Sequence, residues 1–175
     1  MEQSWAGAGE PLATVDEIAG AVFDRGRQLP PAAEAPVFTL FAAVCERPTL
    51  PGRVLRLITA VRYRRADAHR AALAAAGLDF RAAHALNVLW DRHRGLTRLG
   101  QGFPEPGSSV ALLEQRGLAE RGTISESGLT LREEVERDTD RRTAPLYEHL
   151  DQPSRGRFLA ALAALPGAAH PGLPG

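Results

Sequence analysis

The chain of 175 residues, 44% of them hydrophobic, is long enough for one well-buried domain or two small ones sharing a core. Its 21 basic residues, all arginine, balance 21 acids, so no global charge marks it for nucleic acid or a membrane surface. The single cysteine, Cys45, excludes an intramolecular disulfide, and no apolar run approaches the ~20 residues a bilayer span requires, so a cytoplasmic protein is expected.

In chain order, residues 1–12 read as disordered. Thr14 and Glu17 have capping-box spacing, a hydroxyl at the N-cap and a carboxylate three residues later, and open a short helix through Ile18, Val22 and Phe23. Leu29-Pro30-Pro31 breaks the chain, and a second helix covers roughly 32–46, ended by Pro48 and Pro51, which lack the donor a helix interior needs. Cys45 lies in the apolar run FTLFAAVC and reads as a buried, inert thiol. A third helix runs from about Arg53 to Ala76 and stops at Gly77; a fourth runs from Asp79 to about Asp91 with Phe80, Leu86, Leu89 and Trp90. The stretch 95–107, rich in Gly and Pro, reads mainly as loop, with one helical turn at Leu96–Leu99.

The stretch 108–140 has the outline of a known device. An apolar helical run (Val110, Leu112, Leu113) ends at Gly117, a residue suited to a left-handed C-cap. Leu118-Ala119 and Thr123-Ile124-Ser125 then flank a tight turn, and a long charged helix follows, capped by Ser125 or Ser127. Helix, small hairpin, helix is a winged helix-turn-helix. A last helix, Arg157–Leu165, is capped by Ser154 and is apolar nearly all round, which assigns it to the core or a dimer contact. The expected organisation is a disordered 1–12, an N-terminal helical part 13–78, the winged helix-turn-helix 79–150, a C-terminal helix 151–166 and a disordered tail 167–175. The fold class is all-α with a small two-stranded β-wing.

Two features carry chemistry. Charge is divided along the chain: 53–98 carry 10 Arg against 3 acids, whereas 105–150 carry 6 against 10, so the winged segment is acidic and the helix before it basic. On the third helix, Val54, Leu57, Ile58, Val61, Ala68 and Ala72 form an apolar stripe that includes Arg65, with Arg62 and His69 aligned beside it; Asp67 points nearly the opposite way. An arginine in such a stripe needs a carboxylate such as Asp91, Glu136 or Asp140, a ligand anion, or a route to water. His69, His84, His93 and His149 lack the spacing of a metal motif, and no cofactor or metal is expected. No phosphate-binding loop or nucleophile elbow is present.

The run Arg62-Tyr63-Arg64-Arg65-Ala66-Asp67-Ala68-His69, followed by AAAGLD, resembles the central R-x-x-R-G-D-G-H motif of a mostly actinobacterial helix-turn-helix family sometimes labelled SalK-like. Arg116-Gly117-Leu118, Ile124-Ser125-Glu126-Ser127-Gly128 and Thr139-Asp140 resemble that family's C-terminal MarR-like winged helix. The resemblance covers roughly 47–165; Ala66 and Ala68 replace the two glycines, and the N-terminal part is shortened. It carries over Arg62, Arg65, Asp67, His69 and Asp140, which are assigned to ligand binding. The leading expectation is a ligand-responsive regulator that binds double-stranded DNA as a homodimer, with Arg62, Arg65 and His69 sensing an anionic small molecule and no membrane partner. The DNA-binding candidates are Ser108, Ser109, Gln115 and Arg116 on the recognition helix, Arg121 on the wing, and Arg94 and Arg98 in the basic loop, with Glu105 and Glu114 as repelling charges. The rival is a winged-helix scaffold that does not touch DNA and serves as a small-molecule-binding, accessory or enzymatic protein of specialised metabolism; whether the chain is an enzyme is left open.

Overall fold

The computed structural model describes Trp5 and residues 7–29, 35–44, 49–96 and 107–165, without the side chains of 44, 107 and 108. These residues form α1 (Gly9–Gln28), α2 (Pro36–Val44), α3 (Leu50–Ala75), α4 (Phe80–His93), α5 (Gly107–Gln115), β1 (Ala119–Glu120), β2 (Thr123–Ile124), α6 (Glu126–Thr143) and α7 (Gln152–Ala164), in that order. The fold is mainly helical, with one two-stranded antiparallel sheet between α5 and α6, which is the helix, hairpin, helix order of a winged helix-turn-helix. Cys45, Pro48, Arg98, the helical turn expected through Leu99 and the tail after Leu165 lie outside the described residues. The chain divides into two compact units, one of 1–68 with 142–175 and one of 69–141, so the boundaries fall inside α3 and α6 rather than in the loops.

In the first unit, Leu12, Val15, Ile18, Ala19, Val22 and Phe23 recur at helical spacing along α1, and all are buried. This corrects the expectation of disorder through Leu12. The apolar stripe extends ahead of Thr14, α1 begins at Gly9, and Trp5 and Leu12 belong to the core. Thr14 does not cap; its hydroxyl donates to the Glu10 carbonyl at 3.2 Å, one turn back inside the helix.

Between them, two side chains of α3 bracket α2. The Asp67 carboxylate accepts from the Phe38 N–H in the first turn of α2 at 2.9 Å, and the Arg56 guanidinium donates to the Ala42 carbonyl near its end at 3.2 Å. An acid at the start and a cation at the finish satisfy orphaned backbone groups and suit the helix dipole. Phe38 packs on Phe23 and Phe41 on Tyr63, with ring centroids 5.6 and 5.0 Å apart.

Proline at 51 begins a helix rather than ending one. The Thr49 hydroxyl accepts the Gly52 N–H at 3.2 Å, and Pro51 occupies the first turn of α3, where no intrahelical donor is required. Similarly, Asp151 rather than Ser154 caps α7, its carboxylate accepting the Ser154 N–H at 2.8 Å with Pro153 in the first turn. Only Ala161 of α7 and Leu165 just after it are buried, Phe158 and Leu162 are half-buried, and Leu159 is 66% exposed. The helix therefore packs one face on α1 and presents the rest outward, because its many alanines tolerate either environment.

The second unit encloses Leu86 and Leu89 of α4, Leu113 of α5, Leu118 and Ile124 of the hairpin and Val135 of α6. Asp79 caps α4 by accepting the Ala82 N–H at 2.8 Å. At the end of α5, Gly117 takes φ +71°, and the Gly117 and Leu118 amides donate back to the Glu114 and Leu113 carbonyls, a Schellman closure. The Ser125 hydroxyl then serves two helices at once, donating to the Gly117 carbonyl at 2.6 Å and accepting the Gly128 N–H at 3.1 Å as the N-cap of α6.

Candidate functional sites: an apolar cavity and the hairpin face

The first unit contains a cavity of about 280 Å³. Ala19 and Val22 of α1, Ile58 and Val61 of α3, and Phe158 and Leu162 of α7 form its apolar wall. Arg62 and Arg65 also line it, together with Tyr147, which follows the short 3-10 turn Ala144–Leu146. On α3 the residues 58, 61, 62 and 65 share one face by the i, i+3, i+4, i+7 rule, which explains how one helix supplies both wall and charge.

This geometry revises the expected stripe on α3. Its most buried residues in this unit are Val54, Leu57, Ala60 and Asp67, whereas Ile58 and Val61 are half-buried and Arg62 and Arg65 exposed. The buried face is rotated away from Arg65 because Ala60 and Asp67 belong to it, a small residue and a charged one that hydropathy alone passes over. Arg65 thus lies outside the buried arc and stands beside the cavity. Tyr147 is half-buried, and desolvation pushes its phenol above the usual range, with the nearby Arg65 guanidinium pulling the other way.

The assigned ligand residues fall in both units. Arg62 and Arg65 share the cavity, Asp67 is buried against the start of α2, and His69 and Asp140 belong to the second unit. There, His69 Nδ1 is 3.0 Å from the Thr139 hydroxyl, whose own proton goes to the Val135 carbonyl at 2.7 Å. The hydroxyl must then accept, so Nδ1 carries a hydrogen. Glu136 lies 3.8 Å from the same nitrogen and pairs with Arg132, which in turn donates to Asn87 on α4 at 2.9 Å. His69 is part of a polar brace joining α3, α6 and α4. Asp140 is exposed on α6. A second concavity in this unit, about 480 Å³, lies along Ala72, Ala75 and Ala76 of α3 and Glu134, Arg137 and Arg141 of α6. Among the described residues no three His, Cys, Asp or Glu side chains are grouped to hold a metal ion.

Hairpin geometry is tightly specified. Ala119 pairs with Ile124 and Glu120 with Thr123, and the turn places Arg121 at φ +50° and Gly122 at φ +73°, the primed two-residue turn that suits hairpin twist. Glu114 of α5 accepts the Gly122 N–H at 2.9 Å, so the carboxylate expected to repel DNA instead ties the wing tip to the helix. Arg121 projects with 91% of its side chain exposed, 3.8 Å from Glu120. Gln115 is exposed and Ser109 half-buried. Arg116, assigned to DNA, donates to the carbonyls of Gly77 and Ala76 at 2.9 and 3.3 Å and so closes the end of α3. Arg94 stacks on Trp90, 4.8 Å from the ring centre, and Arg132 approaches the same indole at 5.0 Å. Ser108 lies in α5, but its side chain, like Arg98, is outside the described set.

Sequence reasoning missed Tyr147, the α7 wall and the tether by Glu114. Tyr147 sits in an irregular link between helices, where no periodicity points to a face. Phe158 and Leu162 are at i, i+4 spacing on α7 and were legible as a face, though not as a cavity wall.

A hairpin after α5, closed against α6 and carrying an outward arginine, defines a winged helix-turn-helix protein, a class of DNA-binding regulators. The chain belongs to a helix-turn-helix family, whose model matches residues 3–171. No curated protein and no solved structure matches it. Among the described residues no helix is long and apolar enough to cross a membrane.

Proposed function

We propose that this protein is a ligand-responsive, MarR-like transcription regulator that binds double-stranded DNA as a dimer and responds to a small anionic molecule. The observation that carries the DNA half is the tethered hairpin: Glu114 holds the Gly122 amide while Arg121 extends outward, so a cation is presented on a preformed wing. Gln115 on α5 supplies a base-reading amide, and Ser109, Arg94 and Arg98 remain candidates for phosphate or base contact. Support for the ligand half comes from Arg62 and Arg65 beside an apolar cavity. His69 and Asp140 enter this reading as residues of the second unit, His69 through the brace to α4.

A second reading, a winged-helix scaffold that does not bind DNA, draws on Arg116. Its guanidinium is engaged by the end of α3, and the wing cation sits next to Glu120, which leaves little positive charge for phosphate. Fluorescence anisotropy with a labelled duplex from the gene's own upstream region, at two salt concentrations, separates the readings. The regulator binds with an affinity that falls with salt, and Arg121→Ala reduces the log–log slope by about one unit. Absence of binding at low salt overturns the regulator and leaves the scaffold.

A further inference from the structure

We infer that the cavity between α1, α3 and α7 is a binding site for a small monocarboxylate with an apolar body, its tail between Val22, Ile58, Val61 and Phe158 and its carboxylate at Arg62 and Arg65. The inference deepens the ligand-responsive reading and rests on it only for any consequence on DNA.

The walls decide the chemistry of the tail. Six apolar side chains from three helices leave about 280 Å³ between them, just below the usual ~300–1,000 Å³ of small-molecule sites. Water entering such a space finds few polar partners, so an apolar group displaces it at little cost. A sugar, a nucleotide or a peptide backbone meets the opposite situation, since its hydroxyls or amides lose water without replacement. At about 30 Å³ per water-sized group, the cavity holds roughly nine such groups, the size of octanoate or a substituted benzoate.

The charged side decides the head group. Arg62 and Arg65 are one turn apart on the same face of α3, and both line the cavity while remaining open to solvent. A guanidinium offers two parallel N–H groups that match the two oxygens of a carboxylate, whereas a cationic amphiphile is repelled by both arginines. Tyr147 adds a third donor. A tyrosine phenol is protonated at neutral pH, so its O–H is available to a carboxylate oxygen. The site therefore selects for one negative charge at one end of an otherwise apolar molecule.

Isothermal titration of the full-length protein with sodium octanoate, octan-1-ol and octylammonium chloride, at matched ionic strength and without DNA, tests this. Octanoate is expected to bind one site per chain, octan-1-ol at least tenfold more weakly, and octylammonium without measurable heat. Arg62→Ala and Arg65→Lys each weaken octanoate at least fivefold and leave octan-1-ol unchanged. Val61→Trp fills the cavity from its wall and abolishes octanoate binding in protein whose circular dichroism is unaltered. If that variant does not fold, Phe158→Ala enlarges the cavity instead and shifts preference from octanoate to decanoate by about tenfold. No octanoate binding, equal binding of the alcohol, undiminished binding to folded Val61→Trp, or an unshifted chain-length preference in Phe158→Ala each overturns the inference. Repeating the anisotropy assay with octanoate keeps the two failures apart. DNA binding by a protein that does not take octanoate removes the cavity proposal alone; octanoate binding by a protein that does not bind DNA removes the regulator alone.

Discussion

The two units solve opposite packing problems. Around the hairpin, backbone meets backbone: Ser125 bonds both the Gly117 carbonyl and the Gly128 amide, and Leu118 accepts the Ser125 N–H at 3.1 Å. Around the cavity, three helices meet through side chains that leave about 280 Å³ unfilled, with two arginines beside it. A hairpin with two residues in each strand has little cooperative pairing of its own, so it depends on close, fully bonded contacts with its flanking helices. Helices bond their backbones internally, so a space between their side chains leaves those bonds intact. Shape is thus fixed by backbone bonds around the hairpin and is more accommodating around the cavity.

The largest expected effect probes the tight junction. A Cβ on Gly128 runs into the Leu118 carbonyl oxygen and comes within 2.8 Å of Ile124 Cγ1, and the carbonyl belongs to the hairpin backbone and cannot swing aside. Gly128→Ala is expected to cost about 3 kcal/mol or more, in the range of severe core strain. Gly20→Ala on α1 meets open space and is expected to gain about 0.5–1 kcal/mol from improved helix propensity. Urea melts of the two variants measure both; equal effects remove the contrast between the units.

Next in size is the bond that holds α2. Asp67→Ala leaves the buried Phe38 N–H without its carboxylate and is expected to cost about 2–3 kcal/mol, with Asp67→Asn much milder because an amide oxygen still accepts. Hydrogen exchange at the Phe38 amide reports this locally: it accelerates in the alanine variant if Asp67 positions α2. Unchanged exchange would return Asp67 to the ligand residues.

Ser125→Ala follows, at about 1–2 kcal/mol, since it removes the α6 cap and the donor to Gly117 together. A thermal melt suffices, and Ser127→Ala is the control, because Ser127 is not the cap.

Much of this architecture was legible because it is written in local rules. The stop at Gly117 and the tight turn after Ala119 follow from backbone demands that few residues meet, and of the two serines the pattern offers as cap, Ser125 is the one used. Local rules mislead when a residue has two uses. Thr14 looks like a cap but back-bonds within α1, and Pro51 looks like a stop but stands in the first turn of α3. The sites were less legible. The face of α3 at Arg62 and Arg65 was visible from spacing, yet the buried arc of that helix was misplaced by leaving out Ala60 and Asp67. The helix ahead of the hairpin was located, but the partner of Arg116 lies 39 residues earlier in the chain and leaves no sequence signal. Burial by a distant segment is decided by tertiary contact, which periodicity does not encode.

The smallest expected effect concerns α7, the helix that closes the accommodating layer. Hydrogen bonding from Ser154, through its hydroxyl first and its amide second, holds the Asp151 carboxyl below the ordinary aspartate value of 3.8. A carboxyl with a depressed folded-state pKa adds stability above its unfolded value and loses that contribution as pH falls through the folded one. Asp151 is a surface group, so the whole protein should scarcely register the change, whereas the first turn of α7 should fray. Following the Ser154 amide by NMR from neutral pH downward, its shift should move through a single titration below 3.8. Asp151→Asn keeps an oxygen at the cap and should abolish that titration while leaving the helix in place. A titration that persists in the asparagine variant would assign the pH response to another group and leave the start of α7 held by its packing against α1 alone.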